Sequence, residues 1–429
     1  MNNNDCLTIS KNRWPVYTDA TIKKVLEVFE NNRFTISGYW TGKKSMEQVF
    51  AKKFAEYNGV PYCVPTSNGS NALVVALEAL DIGFEDEVIV PALTWLATAT
   101  SVLNVNAFPV IIDVDPDTYC MDANIIESYI TEKTKAIIPV HLYGCMSDMD
   151  AVMSIAKKHN LKVIEDCAQT HGSIWKGKKA GTIGDVGAFS FEQSKTLSSG
   201  EGGCVITKDT ELYELLSQLR VDSRVFTDKT VNYGDLELIE LGRIQGSNYK
   251  MTEIQAAILI EQLEYLEELN IIREENALYL DNYIKLIPGL KIMKRLPQIN
   301  RQSYFSYCIK VDSQYFDCSN DIKLLLIREK ILKSLRERLG IPQYFLHPSY
   351  QPLNTSKMFC PWTKRRYPES ISKTEEYWRN LNLPVSSKAV RESIVFHHSI
   401  LLKEKKELDL IVNVLDEIVS NIKKRKADI

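Results

Sequence analysis

Much of what would send this chain to a membrane or an oxidising compartment is missing from it. No apolar stretch approaches the roughly 20 residues of a membrane span. The opening MNNNDCLTISKNRWPV has no apolar signal region, so none is expected to be removed. None of the nine cysteines stands in C-x-x-C spacing, and their number is odd. Cys63, Cys120, Cys145, Cys167, Cys204 and Cys308 lie in or beside apolar runs and read as reduced core residues, not as a disulfide framework. No metal site is expected. Surplus charge is also small: 52 Lys and Arg against 55 Asp and Glu give a formal net charge of −3. That balance makes no electrostatic case for nucleic acid or an anionic membrane, and the KKRK run near the C-terminus reads as a short solvated tail. No internal repeat and no Pro- or Ser-rich linker divides the chain. What remains is 429 residues of ordinary globular composition, enough for two or three domains, expected in the cytoplasm.

Residues 1–12 are polar and expected to be loose. Residues 19–31 carry apolar side chains at 22, 25, 26, 28 and 29, a helical spacing that Asp19 or Thr21 would cap. A second helical pattern at 46–57 stops before Gly59. From residue 60 the runs YCVPTSNGS and EVIVPALT and the strand-like PVIIDVD, AIIPVHLY and KVIEDCA mostly alternate with helical patterns. Such βαβ units imply a largely parallel, buried sheet, with ligands at the carboxyl ends of its strands. After about residue 285 the pattern changes. LKIMKRL and SYFSYCIKV read as strands of a smaller α+β body, with helices at 321–338 and 404–423 packed on it. The expected division is a large domain over 1–285, its first ~35 residues partly an arm, and a small one over 286–429.

The chemistry-bearing residues cluster at those strand ends. TSNGS at 66–70 precedes an apolar helix. It suits a helix cap, and equally a phosphate held by free amides at the positive end of the helix dipole. Trp95, in PALTWLAT, stands where a strand gives way to a helix, a position usually belonging to the core. Glu165 and Asp166 end the run KVIED, which would expose at least one carboxylate; a solvated acid or a helix cap fits as well. Within 185–207, DVGAFSFEQSKTLSSGEGGCVIT, the strand-like runs VGAF and CVIT flank Ser190, Lys195 and a glycine cluster. A lysine on a tight connection between buried strands has a lowered pKa and can attack a carbonyl. A surface lysine in a hairpin loop fits these residues equally well.

The segment SFEQSKTLSSGEGG resembles the internal-lysine segment of the DegT/DnrJ/EryC1/StrS family, pyridoxal-phosphate (PLP) aminotransferases acting on keto-sugars and keto-cyclitols. The resemblance implies that Lys195 carries PLP as a Schiff base and that Ser190 contacts its phosphate. It implies the same phosphate role for Asn68, Gly69 and Ser70, and stacking of Trp95 on the pyridine ring. Asp166 would pair with the ring nitrogen and Gln169 would contact the ring hydroxyl, with His171 behind them. GSNYKMTEIQAA at 246–257 matches a family segment whose asparagine reaches the partner's phosphate, which implies a homodimer and that role for Asn248; Lys250 stands where arginine is common. The implied fold is that of fold-type I aminotransferases: α/β, with a mostly parallel seven-stranded sheet and a smaller C-terminal α+β domain. Tyr350 to Asn354, Thr363 to Arg366 and Phe396 to Leu402 resemble segments of one subgroup, which aminates scyllo-inosose and 2-deoxy-scyllo-inosose with L-glutamine. By that likeness Tyr350, His397 and His398 are substrate contacts, although the paired histidines could simply close a strand. The expected reaction is transamination from L-glutamine or L-glutamate to a keto-cyclitol. A nucleotide-linked keto-sugar aminotransferase and a 3-amino-5-hydroxybenzoate synthase-like enzyme are the alternatives.

Overall fold

The computed structural model describes residues 14–364 and 373–427, with side chains described up to residue 424. The expected loose start at 1–12, and Arg365 and Arg366 of the subgroup segment, lie outside the described residues.

Seven strands form the central sheet: β1 Tyr62–Thr66, β2 Glu87–Pro91, β3 Phe108–Ile112, β4 Thr134–Ile137, β5 Lys162–Asp166, β6 Val186–Ser190 and β7 Gly203–Thr207. Their spatial order is β1-β7-β6-β5-β4-β2-β3. Only β7 runs against the others, paired antiparallel with both β1 and β6. Alternate residues of each strand feed different cores. Val163, Phe189 and Ile206 pack on one face with the helices Met46–Asn58 and Glu253–Ile284. Ile164, Ala188 and Val205 pack on the other with Gly69–Ala79 and Thr210–Leu219. A sheet covered on both faces can offer a ligand only its ends. Thr66, Pro91, Asp166 and Ser190 all stand at the same, carboxyl, end of their strands.

Beyond residue 286 a four-stranded antiparallel sheet joins Leu290–Ile292, Ser306–Val311, Ser393–His397 and Leu346–His347, covered by Asp321–Leu339 and Lys405–Ala427. The same stretch of chain also returns to the first body. Leu353, Phe359, Trp378 and Leu383 join its core, and Asp113 Oδ1 and Oδ2 accept from the amides of Ser386 and Val385 at 2.9 and 2.8 Å. Among the described residues no helix is long and apolar enough to cross a membrane.

Local rules account for the helix ends. The cap expected at Asp19 or Thr21 is Thr18, which forms a reciprocal capping box with Thr21. Ser45 caps Met46–Asn58 in the same way, and Gly59 closes that helix at φ 70°. The Glu253 carboxylate adds to this N-terminus by accepting from the amides of Met46 (2.6 Å) and Glu47 (3.4 Å). Burial raises the Glu253 carboxyl from 4.5 to about 7, and the nearby Glu47 adds to the rise. Between those pH values the folded chain holds a proton that the unfolded chain has released. Stability is therefore highest below the window and falls through it as pH rises, by about 3 kcal/mol at most. Glu253→Gln keeps an acceptor and removes the titration. Its stability relative to the wild type should rise between pH 5 and pH 8 in urea unfolding; a flat difference would refute the assignment.

Candidate active site

Lys195 lies on the connection from β6 to β7, residues 191–202, which closes on itself. The amide of Phe191 donates to Gly202 O at 2.8 Å, that of Gln193 to Gly200 O at 2.9 Å, and that of Lys195 to Glu192 O at 2.9 Å. From below, Trp14 Nε1 donates to Lys195 O at 3.1 Å and His398 Nε2 to Ser194 O at 3.0 Å. The surface-lysine reading is thereby set aside: Lys195 is 8% exposed, with Nζ 4.5 Å above the Phe305 ring. Burial lowers the pKa of its amine, against the opposing charges of Glu192, Asp166 and Glu201. A lowered pKa enlarges the neutral, nucleophilic fraction.

The adjacent acids of β5 point to opposite faces, as strand pleating requires. Neither carboxylate is exposed. Glu165 is wholly buried and saturated: Oε1 accepts from the amides of Ile183 (2.6 Å) and Gly184 (2.7 Å), Oε2 from Gly181 (2.9 Å) and from His141 Nε2 (3.0 Å). His141 Nδ1 accepts from Ser147 N at 3.2 Å, so Nε2 carries the proton. Burial would raise the Glu165 carboxyl, but its bonds to His141 and to the amides of Gly184 and Gly181 hold it below its ordinary value. His141, Glu165 and Cys167 bring their ligand atoms within 4.8 Å of one another. Glu165 and His141 are taken up by their bonds to each other and to the amides of Gly181, Ile183, Gly184 and Ser147, which brace the end of β5, and burial raises the Cys167 thiol well above the usual range. Asp166 instead faces the cavity. Oδ2 accepts from Thr98 Oγ1 at 2.8 Å and Oδ1 from Ala168 N at 3.2 Å. Burial raises its pKa, opposed by those bonds and by Lys195.

The cavity between the two bodies measures ≈ 750 Å³, within the range of small-molecule sites. It brings together Asn68, Gly69, Ser70, Trp95, Asp166, Gln169, Ser190, Lys195, Tyr350 and His397. Asn68 uses its side chain to cap the helix, accepting from Asn71 N at 2.8 Å, and leaves the first-turn amides of Gly69 and Ser70 facing an open site. Close backbone approach builds this corner. A Cβ at Gly69 would fall 2.5 Å from Ser190 Cβ, and one at Gly203 would fall 2.4 Å from Asn68 O. Gln169 Oε1 accepts from Tyr143 N at 2.7 Å, which turns its amide donors the other way. Trp95 is half exposed at the rim, its ring 6.3 Å from that of Tyr350.

Two expected residues are not brought to the cavity wall. His398 lies beneath the lysine loop, edge-on to Trp14 at 4.4 Å. Asn248 is exposed, bridged to Val221 outside the cavity of its own chain. His171 is buried behind the loop, its pKa lowered to about 3 by burial and by Lys195, with Nδ1 3.3 Å from Thr196 Oγ1. Sequence reasoning missed Thr98, Glu192, Glu201, Phe305, Tyr344 and His347, all of which line the cavity. Thr98 had a signal, standing three residues, about one helical turn, after Trp95. Phe305, Tyr344 and His347 come from the second body and had none.

Comparison with known proteins agrees with this site. The model of the DegT/DnrJ/EryC1/StrS aminotransferase family matches residues 18–396. The chain is 38% identical over 398 residues to an L-glutamine:2-deoxy-scyllo-inosose aminotransferase of Streptomyces fradiae, covering 92% of this chain and 91% of that one. It is 35% identical over 412 residues to an L-glutamine:scyllo-inosose aminotransferase of Streptomyces griseus, covering 96% and 95%. Among solved structures, an aminotransferase from Psychrobacter cryohalolentis superposes with a TM-score of 0.80 at 31% identity, covering 96% and 99%. 3-Amino-5-hydroxybenzoic acid synthase superposes at 0.81 and 25%, covering 96% and 98%. With a match running from the first described helix to the strand that carries His397, around one buried lysine and one cavity-facing aspartate, the chain belongs to the DegT/DnrJ/EryC1/StrS aminotransferase family.

Proposed function

We propose that the protein is a PLP-dependent aminotransferase that moves the amino group of L-glutamine onto a keto-cyclitol of the scyllo-inosose or 2-deoxy-scyllo-inosose type. Asp166 carries the cofactor assignment. It is a buried carboxylate that makes no ion pair among the described residues, held only by a hydroxyl and an amide in the wall that also presents Lys195. A protonated ring nitrogen is the partner that such a carboxylate lacks. The cyclitol assignment is supported by the relatives in Streptomyces, which are named for that reaction.

In this reading Ser190 Oγ and the amides of Gly69 and Ser70 hold the cofactor phosphate, Asn68 shapes that corner, Trp95 covers one face of the ring and Gln169 reaches its hydroxyl. Bound PLP supplies an electron sink for the charge left when the amine-bearing carbon loses its proton. Asp166 holds a proton on the ring nitrogen. Lys195 Nζ takes the proton from the donor's amine-bearing carbon and later returns a proton at the position that completes the transfer. Tyr350 and Phe305 narrow the cavity and exclude water. The division into domains at residue 285 would let the two bodies close over that space.

Asn248 serves the site of a second copy in a homodimer. The exposed apolar side chains Tyr17, Ile22 and Leu26, beside the loop Ser198–Gly200, support a partner on that side. Cys63, Cys120, Cys145, Cys167, Cys204 and Cys308 are buried free thiols, in keeping with a cytoplasmic enzyme.

The test is a half-reaction. Protein loaded with PLP should lose its cofactor absorption and form pyridoxamine phosphate on addition of scyllo-inosamine or 2-deoxy-scyllo-inosamine. Conversion only by a nucleotide-linked amino sugar would move the chain to that alternative, and an aromatic product would move it to 3-amino-5-hydroxybenzoate synthesis.

A further inference from the structure

One wall of the cavity carries charge that the chemistry above leaves unused. Glu192 and Glu201 both line it, flanking Lys195 in sequence. Glu192 is fixed in place: its Oε2 accepts from Ser194 N at 3.0 Å and from Ser194 Oγ at 2.5 Å, leaving Oε1 for a ligand. Its charge is the largest felt by the Lys195 amine, ahead of that of Asp166. It is also the largest felt by the phenols of Tyr350 and Tyr344, so it faces the space those residues enclose. Burial raises the Glu201 carboxyl, and Glu192 adds to the rise, so the two acids share one field.

The second observation is a neutral donor in the same wall. His397 is 4% exposed and lines the cavity. Its Nδ1 accepts from Ser399 N at 3.2 Å, so Nε2 carries the proton, and Nε2 makes no hydrogen bond of ordinary length, with only the Ser194 backbone near enough to favour its charged form. Its ring lies 5.5 Å from that of Tyr344. Burial holds its pKa near 3, with Arg273 and His347 adding to the drop, so the imidazole stays uncharged at working pH. Among the described lining residues the only other cationic or titratable nitrogens are those of Lys195 and His347.

An acceptor-only carboxylate beside an orphaned N–H complements a group that both donates and accepts. A carboxamide fits, with its NH₂ on Glu192 and its C=O on His397; so does the hydroxyl of a polyol. A carboxylate or phosphate in the same place would meet like charge in a partly desolvated cavity. We propose that Glu192, with His397, forms the subsite that reads the uncharged polar end of each substrate, selecting L-glutamine over L-glutamate as donor and an uncharged acceptor over an anionic one. This rests on the aminotransferase reading and adds the residue that sets its specificity.

The experiment compares L-glutamine and L-glutamate in the PLP half-reaction of wild type, Glu192→Gln and Glu192→Ala. It also compares their affinities by calorimetry in a Lys195→Ala background, where no turnover confuses binding. The wild type should favour glutamine at least about tenfold in kcat/KM. Both Glu192 variants should bring that ratio down at least about fivefold, chiefly by gaining activity with glutamate, and the Kd ratio should move in parallel. A gain with the poorer substrate cannot come from misfolding. A ratio within twofold of wild type in both variants, or a wild type that prefers glutamate, overturns the proposal. Amino-cyclitols run alongside keep the two readings apart. If glutamine converts the cofactor while no amino-cyclitol does, the cyclitol assignment fails and the Glu192 proposal is still decided by the donor ratio.

Discussion

Lys195→Ala should lower turnover by more than about 1,000-fold while leaving the fold and noncovalent PLP binding in place. Proton transfer by a positioned side chain contributes about 100- to 10,000-fold by itself, and this variant also removes the nucleophile. The loop does not depend on the side chain it would lose. Its closing bonds are backbone to backbone, and its supports, Trp14 and His398, bond to carbonyl oxygens that alanine keeps. The phosphate corner is likewise built from Ser190, Gly69 and Ser70. The measurement is single-turnover absorbance with L-glutamine, together with borohydride reduction and mass analysis of the peptide spanning 191–202. The wild-type peptide should gain the mass of the reduced cofactor and the variant peptide should not. A small primary amine in solution should restore part of the rate, because it replaces the missing base. A variant within tenfold of wild type would remove Lys195 from the reaction.

Lys195 could be singled out from the sequence through the resemblance of SFEQSKTLSSGEGG to the family's internal-lysine segment. The flanking runs VGAF and CVIT left a surface lysine in a hairpin loop equally open, and the backbone bonds that close residues 191–202 on themselves decide between the two. A polar terminus at the carboxyl end of β5 was legible because a sheet covered on both faces offers a ligand only its ends. The run KVIED did not separate Asp166 from Glu165; the family resemblance did. Pleating turns them to opposite sides, but the side that opens on a cavity is decided by three amides at 181–184 and by His141, none of which is local to β5. His397 and His398 divide in the same way, one lining the cavity and one bracing the lysine loop. The reason is that a strand ends at His397 and a 3₁₀ turn begins at His398. Trp14 is further still from what local pattern can show. Its contact with Lys195 O spans 181 residues, and nothing in RWPVY announces it. The parts of the site that come from periodicity and strand ends were readable from the residues, whereas of the parts that the second body contributes Tyr350 and His397 were reached only through the family resemblance, and Phe305, Tyr344 and His347 were not reached.

The adjacent acids give the second large effect, because the two residues should fail in opposite ways. Asp166→Asn should lower the half-reaction rate about 100- to 1,000-fold with little change in the melting temperature of the cofactor-free protein. The change keeps the shape and leaves Thr98 Oγ1 an acceptor. It also removes a charge that burial disfavours, so the cofactor-free fold loses nothing and gains slightly. What it removes is the negative charge that would keep a proton on the ring nitrogen, on which the electron sink depends. Glu165→Gln should do the reverse, costing about 3 kcal/mol of stability. An amide NH₂ cannot accept from the amides of Gly181, Ile183 and Gly184, so either its NH₂ opposes one of them or a buried N–H is orphaned. Its effect on rate at low temperature should be small beside that of Asp166→Asn, because Glu165 lies on the far face of β5. Thermal melts of both cofactor-free variants and single-turnover rates at 15 °C separate the two cases. An Asp166→Asn enzyme within tenfold of wild type would show that the cavity-facing carboxylate is not the ring partner. A Glu165→Gln enzyme as stable as wild type would show that the amide cluster can be satisfied without a charge.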